Sequence, residues 1–450
     1  MQSIYNIYFH PLSNVPGPYA WSASRLPFVV SLLRGTIVHD IQRYHHAYGP
    51  VLRIAPNEVT FACADAWSDI LQSRSEQFLK DPVCAIDTKT HARMRKSLAP
   101  AFTLRALRAQ EPILHQYVNL LVDRLTQRAR FGEYFNCLHN SQYHPWISLL
   151  FNSVKAASFV AAARFYPFVE FILLKLIPPS LRKMQKDHYQ KIVDKIEQRL
   201  NFELERPDIM SYVIAEDGKK GFSRDEINAT FMTLTTAGSE TTATVLGATL
   251  NYLVSDPEKL KMLSDEVRQR FAAFEDITLG ALPSLPYLNS VINEGLRLCP
   301  PIPWILPRKV PHPGAMVCGT WLPGGTPVSI QAYTLNRDPK CFYAATSFLP
   351  ERWLPEETSN PTSLFYKDQR DAFQPFSVGP RSCLGQHLAR AELRLVLAKL
   401  IYKFDFTAVK DKVVKWEQLR TFLLVEKKPI MVNMGLRRRV IGSVPEWIEG

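Results

Sequence analysis

Neither of two candidate apolar stretches of this 450-residue chain could cross a bilayer, which takes about 20 uninterrupted apolar residues. The first, MQSIYNIYFHPLSNVPGP at residues 1–18, is short and broken by polar residues and prolines. The second, Phe159 to Leu181, carries Arg164, Pro167, Glu170 and Lys175. The chain also begins without the basic segment and small-residue cleavage site of a secretory signal. Its seven cysteines, Cys63, Cys84, Cys137, Cys299, Cys318, Cys341 and Cys383, are odd in number and lack CxxC spacing, which excludes a disulfide framework or a zinc site. A reducing compartment suits them. There is no zinc-finger spacing, no RNA-binding aromatic signature and no dense basic stripe, so nucleic acid is not an expected partner. No internal repeat or low-complexity block marks a solenoid or a disordered chain.

What is present describes a large globular protein. Hydrophobic residues make up 46% and charged residues 21%, an ordinary balance for a chain with a substantial core. Lys plus Arg at 54 against Asp plus Glu at 42 gives +12, which favours an acidic protein partner or an anionic membrane surface. The one tight basic run, Arg437 to Arg439, reads as a solvated tail.

The most informative stretch is FSVGPRSCLG, Phe376 to Gly385. After Cys383 the apolar residues Leu384, Leu388, Ala391, Leu395, Ala398 and Tyr402 recur at helical spacing, so an amphipathic helix starts at the cysteine. Free N–H groups and the positive end of the helix dipole are expected to lower the thiol's pKa there, and the thiolate is the metal ligand. Gly379 permits a tight or left-handed turn, and Gly385 removes a side chain where a flat group would meet the backbone. Pro380 stiffens the turn, Arg381 can grip a carboxylate in two places, and Phe376 can pack beside the sulfur. Taken alone, a lone cysteine on a loop reads more readily as a buried structural residue.

Four further patterns accompany it. HARMRKSLAPAF places His91 and Arg95 on one helical face, which by itself describes two exposed cations. SRDE at Ser223 is a capping box opening a helix of about 30 residues, ~45 Å long, that runs without proline to Asp256 and Pro257. AGSETT, Ala237 to Thr242, is a poor helix sequence in its middle and needs a reason. Glu294 and Arg297 form ExxR on a later helix, a weak signal alone, and PERW comes after it at Pro350 to Trp353.

In combination these residues resemble the cytochrome P-450 family. Phe376, Gly379, Arg381, Cys383 and Gly385 match its haem-binding signature, and AGSETT resembles its oxygen-activation motif, which makes Glu240 and Thr241 the candidate acid and alcohol. The resemblance implies that Cys383 holds the iron of haem b as its axial ligand. It also implies that His91, Arg95, Arg308 and Arg381 reach the haem propionates, and that Glu294, Arg297 and Arg352 form a buried ion cluster. Phe231, Leu234, Ile302, Trp304, Ile305 and Phe422 are the expected substrate contacts. The implied fold is mainly α with a small β region, the haem lying between the long central helix and the helix after Cys383. Val15 to Pro18 resembles the proline-rich hinge of microsomal members, so residues 1–18 are read as a hinge whose membrane anchor is missing, residues 19–440 as one catalytic domain and residues 441–450 as a tail.

The implied activity is that of a fungal microsomal monooxygenase of secondary metabolism. It would insert one oxygen atom into an apolar small molecule, with electrons from NADPH delivered by a flavoprotein reductase docked near Arg95 and Arg381. The expected location is the cytosolic face of the endoplasmic reticulum membrane. The stretch from Phe159 to Leu181 is read either as two helices roofing the substrate cavity, touching the membrane, or as ordinary core. Two segments, between Phe78 and His91 and between Glu111 and Phe131, are shorter than the resemblance predicts. These make an inactive haem protein from a shortened gene one alternative; a haem-thiolate isomerase, dehydratase or peroxygenase is the other, and AGSETT argues against it.

Overall fold

The computed structural model describes residues 1–72, 88–130, 155, 158–176, 179–201, 208–214, 222–304 and 307–437. Four helices open the chain: α1 Gln2–Tyr8, α2 Tyr19–Ala23, α3 Leu26–Arg34 and α4 Ile37–Tyr48. Residues 1–18 are tied to the body of the protein, since the Asn6 amide donates to Ala23 O at 2.9 Å and the buried Arg53 donates to Asn6 O at 2.8 Å. The alternating residues around Pro56 and Asn57 form a hairpin, β1 Val51–Ala55 and β2 Glu58–Phe61. After β2 the chain makes a single wide helical turn, Trp67–Gln72.

Helices then dominate: α5 Thr88–Leu98, α6 Leu104–Arg130, α7 Pro167–Leu176, α8 Pro179–Leu200 and α9 Ile209–Ile214. The loop between Phe78 and His91 falls largely outside the described residues. In the second short segment, α6 runs 27 residues to Arg130 despite Pro112, and the chain beyond it lies outside the described residues. The stretch from Phe159 contributes a helical turn at residues 158–163 and then α7, consistent with two helices rather than one span. No helix among the described residues is long and apolar enough to cross a membrane.

Helix α10, Arg224–Ser255, is the longest at 32 residues. Its capping box forms as the sequence predicts: Glu226 N donates to Ser223 Oγ at 3.2 Å and Ser223 N to Glu226 Oε2 at 2.9 Å. The threonine-rich middle survives because five of its hydroxyls find a partner in their own helix. Thr235, Thr236, Ser239, Thr241 and Thr244 all donate to the carbonyl four residues back, at 2.6–3.0 Å. Bonds of this kind satisfy the hydroxyls without stabilising the helix.

Helices α11 Pro257–Arg270, α12 Pro286–Leu298 and α13 Gln386–Lys403 complete the helical body. Leu253, Leu263, Val267, Leu288, Val291, Leu395 and Ile401, all buried, share the main core among α10 to α13. A smaller core joins α2, α3, α4 and β1 through Trp21, Phe28, Ile37, Ile41, Leu52 and Ile54. Strands β3 Arg308–Lys309 and β6 Pro327–Ile330 extend the hairpin into a four-stranded sheet ordered β1-β2-β6-β3, in which β2 and β6 run parallel. Between them in sequence, β4 Gly314–Val317 pairs with β5 Thr320–Pro323. Near the C-terminus β7 Phe404–Ala408 pairs with β10 Val432–Leu436, and β8 Thr421–Phe422 with β9 Leu424–Val425.

Candidate active site

Residues Phe376 to Gly385 form a loop that delivers Cys383 to the floor of a cavity. Gly379 adopts φ +78°, and a Cβ there would sit 1.9 Å from Leu71 O, so only glycine fits. Cys383 N donates to Phe376 O at 2.8 Å and closes the loop. The helix begins at Gln386, with Gly385 as its N-cap. The Cys383 thiol differs from expectation: burial raises its pKa, and neither the Gly385 N–H nor nearby Arg95 offsets that. The helix starts three residues after Cys383, and of its N-terminal groups only the Gly385 N–H acts on the thiol. Metal ligation, which deprotonates a thiol outright, is the direct way to make the thiolate here.

The cavity has a volume of about 430 Å³ and lies between α10 and α13. Its walls include Phe102, Leu234, Ala237, Gly238, Val245, Leu296, Pro300, Ile302 and Leu388, with Phe376, Arg381, Cys383 and Gly385 below. Thr241 and Thr242 face it from α10. The Thr241 hydroxyl donates to Ala237 O at 2.6 Å, so it meets the cavity as an acceptor. Its neighbour Glu240 is buried and does not line the cavity; Lys427 Nζ holds its Oε2 at 2.9 Å.

A cationic rim stands at one side. His91 is held below the usual imidazole pKa by burial and by the guanidiniums of Arg381, Arg95 and Arg308. Arg95 donates to Ser382 O at 2.7 Å and to Ser382 Oγ at 3.2 Å, and Arg308 is buried on β3. Arg381 Nε is buried with no hydrogen-bond partner. Converged guanidiniums and an orphaned donor suit anionic carboxylates. Arg95 is engaged with Ser382 and Arg381 lines the cavity, and both side chains are half-exposed.

The predicted ion cluster is buried and larger than expected. Arg297 grips Glu294 with two bonds, at 2.7 and 2.8 Å, and Arg352 Nε reaches Glu294 Oε1 at 3.2 Å. Asp368, which no motif flagged, accepts from Arg352 Nη1 at 2.5 Å and balances the cluster at two acids and two arginines. Burial would raise the Glu294 carboxyl, but Arg297, Arg352 and the Leu349 N–H outweigh it and hold it below the usual range. The remaining donors are satisfied by carbonyls of Asn336, Ala345, Ser347 and Tyr343.

Several expected substrate contacts are elsewhere. Leu234 and Ile302 line the cavity. Trp304 is stacked on Phe28 with ring centroids 6.2 Å apart, in the smaller core. Phe422 is buried in β8 against the Gly35 turn, with Lys155 Nζ 4.6 Å from its ring centroid. Phe231 lines a neighbouring cavity instead. Sequence position alone suggests these aromatics for the site, and packing against distant partners removes them from it. Ile305 lies outside the described residues. Phe102, Leu296 and Pro300 take their place, and nothing local in the sequence distinguishes them from core.

Residues 130–434 match the cytochrome P450 family profile. The chain belongs to the cytochrome P450 family. Membership carries a haem cofactor and the activity of a haem-thiolate monooxygenase, an oxidoreductase. Cytochrome P450 monooxygenase lcsI of Purpureocillium lilacinum is 38% identical over 98% of this chain and 92% of that protein. Cytochrome P450 monooxygenases astJ and cpaH of Aspergillus oryzae are each 36% identical over 96% of this chain, and the match spans 93% and 90% of their lengths. This P450 offers the haem a site that fits its chemistry. Besides the arginine rim, a Cβ built on Gly385 meets nothing nearer than Phe102 at 4.0 Å, and one on Gly238 meets nothing, so both faces are left open.

Proposed function

We propose that this P450 inserts one atom of dioxygen into an apolar small molecule, an intermediate of fungal secondary metabolism, using electrons from NADPH passed on by a flavoprotein reductase. The observation that carries the reading is Cys383 on the floor of an apolar cavity with Thr241 on its opposite wall and an arginine rim at its edge. Cys383 would hold the iron, His91, Arg95, Arg308 and Arg381 the propionates, and Phe376 and the two glycines, Gly379 and Gly385, the loop around them. When bound, the haem supplies the dioxygen chemistry. The chain's own residues bind and orient the substrate through Leu234, Leu296, Ile302 and Leu388, exclude water from an apolar chamber, and present the Thr241 hydroxyl as an acceptor in the path of protons.

A membrane surface is the proposed location, the cytosolic face of the endoplasmic reticulum. Phe165, Phe168, Phe171 and Ile172 in and before α7 are exposed, as are Ile4, Tyr8, Phe9, Tyr19 and Leu26 near the N-terminus. Phe165 packs edge-on against Phe28 at 5.9 Å, which brings the two sets to one side. Exposed apolar patches of this kind mark membrane or protein contacts.

The test is reconstitution. The haem-loaded protein should give the thiolate-type reduced carbon monoxide spectrum and, with NADPH and a P450 reductase, consume NADPH and oxygenate an apolar substrate. Turnover that needs no reductase would replace this reading with a peroxygenase or isomerase.

A further inference from the structure

Glu392 is a half-buried acid that the residues described so far leave without a role. It lies on α13, nine residues after Cys383, and lines the Cys383 cavity. It also lines a second cavity of about 360 Å³, walled by Gln110, Leu114, Met210 and Phe231. Its carboxyl lies close to the side chain of Thr242, which is buried beside Thr241 on α10, and both residues line the Cys383 cavity. Glu392 is therefore a polar group touching both chambers.

The surrounding charged groups have partners of their own. On its own helix Arg390 donates to Asn293 at 2.9 Å and Arg394 to Asn289 at 2.6 Å. On α10 Glu240 pairs with Lys427; on α6 Glu111 accepts from Leu279 N and meets His115. Across the second cavity Arg199 pairs with Asp208 at 2.6 Å, half-buried. Glu392 itself makes no ion pair among the described residues. Burial pushes its carboxyl up to about 7, with the nearby Thr242 side chain pulling the other way, so both protonation states are populated near neutral pH. A group poised this way can both take and give a proton.

We propose that Glu392 is a second proton-relay residue of this enzyme, passing protons from water in the second cavity through the Thr242 hydroxyl into the cavity above Cys383. The Thr242 oxygen accepts the Glu392 proton as it releases its own on the cavity side, so the threonine ends neutral. Glu392 is then reprotonated from the second cavity. The route has a use because Glu240, the acid beside Thr241, is tied to Lys427 and turned from the cavity. The inference rests on the monooxygenase reading.

The test uses the haem-loaded enzyme, with Glu392→Gln and, in case that variant takes up haem poorly, Thr242→Val and Thr242→Ser. General acid assistance contributes about 10²–10⁴-fold where it is the sole route, and with Glu240 still present the expected fall in product per NADPH is about tenfold. Glu392→Gln and Thr242→Val should show that fall together with a changed solvent isotope effect, while Thr242→Ser retains coupling. Infrared spectroscopy should show a protonated carboxyl that titrates near neutral pH, vanishes in Glu392→Gln and shifts in Thr242→Val. Unchanged coupling and isotope effect in both loss variants overturns the relay and leaves Glu392 a brace between α10 and α13. Absence of product from the wild type with reductase defeats the monooxygenase reading instead; the infrared arm then still decides, since a carboxyl indifferent to Thr242→Val overturns the relay.

Discussion

Lys427 holds Glu240: the ammonium lies 2.9 Å from Oε2, with both side chains largely buried. The lysine sits just past the β8–β9 hairpin, so the last part of the chain fixes the acid of the central helix. Glu426 beside it pairs with Lys155 at 2.7 Å. Breaking a buried pair from one side is expected to destabilise by on the order of 3–5 kcal/mol, because the remaining charge is stranded. Lys427→Met should approach the lower end, and Lys427→Met combined with Glu240→Gln should recover much of the loss. Denaturant unfolding of the two singles and the double measures the coupling, and strictly additive losses would contradict it.

Cys383→Ser should remove the thiolate signature from the reduced carbon monoxide spectrum. Among the described residues no other cysteine lines the cavity. A variant that keeps the signature would overturn the ligand assignment.

Glu294→Ala leaves Arg297 and Arg352 buried without their shared carboxylate, at a loss of about 3–5 kcal/mol. That is comparable to much of a domain's net stability, so poor yield and poor haem incorporation are expected. Soluble holoprotein at wild-type yield, with an unchanged unfolding midpoint, would argue against the cluster as a structural lock.

Thr241→Ala should preserve folding, haem content and substrate binding, because its hydroxyl bonds only within its own helix. NADPH consumption should continue while product per NADPH falls and hydrogen peroxide rises. Measuring all of these on one preparation separates a proton-path residue from a packing residue, for which coupling stays unchanged.

His45 gives a pH prediction. Burial lowers its pKa from 6.5 to about 4, against a raising hydrogen bond with Gly49 O. The unfolded chain therefore binds one proton more than the folded one between those values. Stability is fully present above about pH 6.5 and is lost as pH falls toward 4, by about 3 kcal/mol in all. Unfolding measured at pH 7.5 and 5 should show the decline, and His45→Leu should flatten its share of it.

The local chemistry of this P450 was legible in its sequence. The turn demanding Gly379, the capping box at Ser223, the helical repeat after Cys383 and the ExxR spacing at Glu294 are set by residues within a few positions of one another, and each formed. Their joint match to one family supplied the haem and the cysteine ligand. Only the tertiary structure decided which side chains share a space. Asp368 completes the ion cluster from a loop with no motif, Lys427 reaches Glu240 from 187 residues away, and Glu392 meets Thr242 across two helices. Trp304, Phe231 and Phe422 were drawn to other cavities and cores, and burial pushed the Cys383 thiol up although a helix begins just beyond it. The physical reason is that hydrogen-bond spacing along one element repeats every three or four residues and can be read from sequence. Burial and the pairing of charges depend on which distant elements pack together, and no local pattern encodes that.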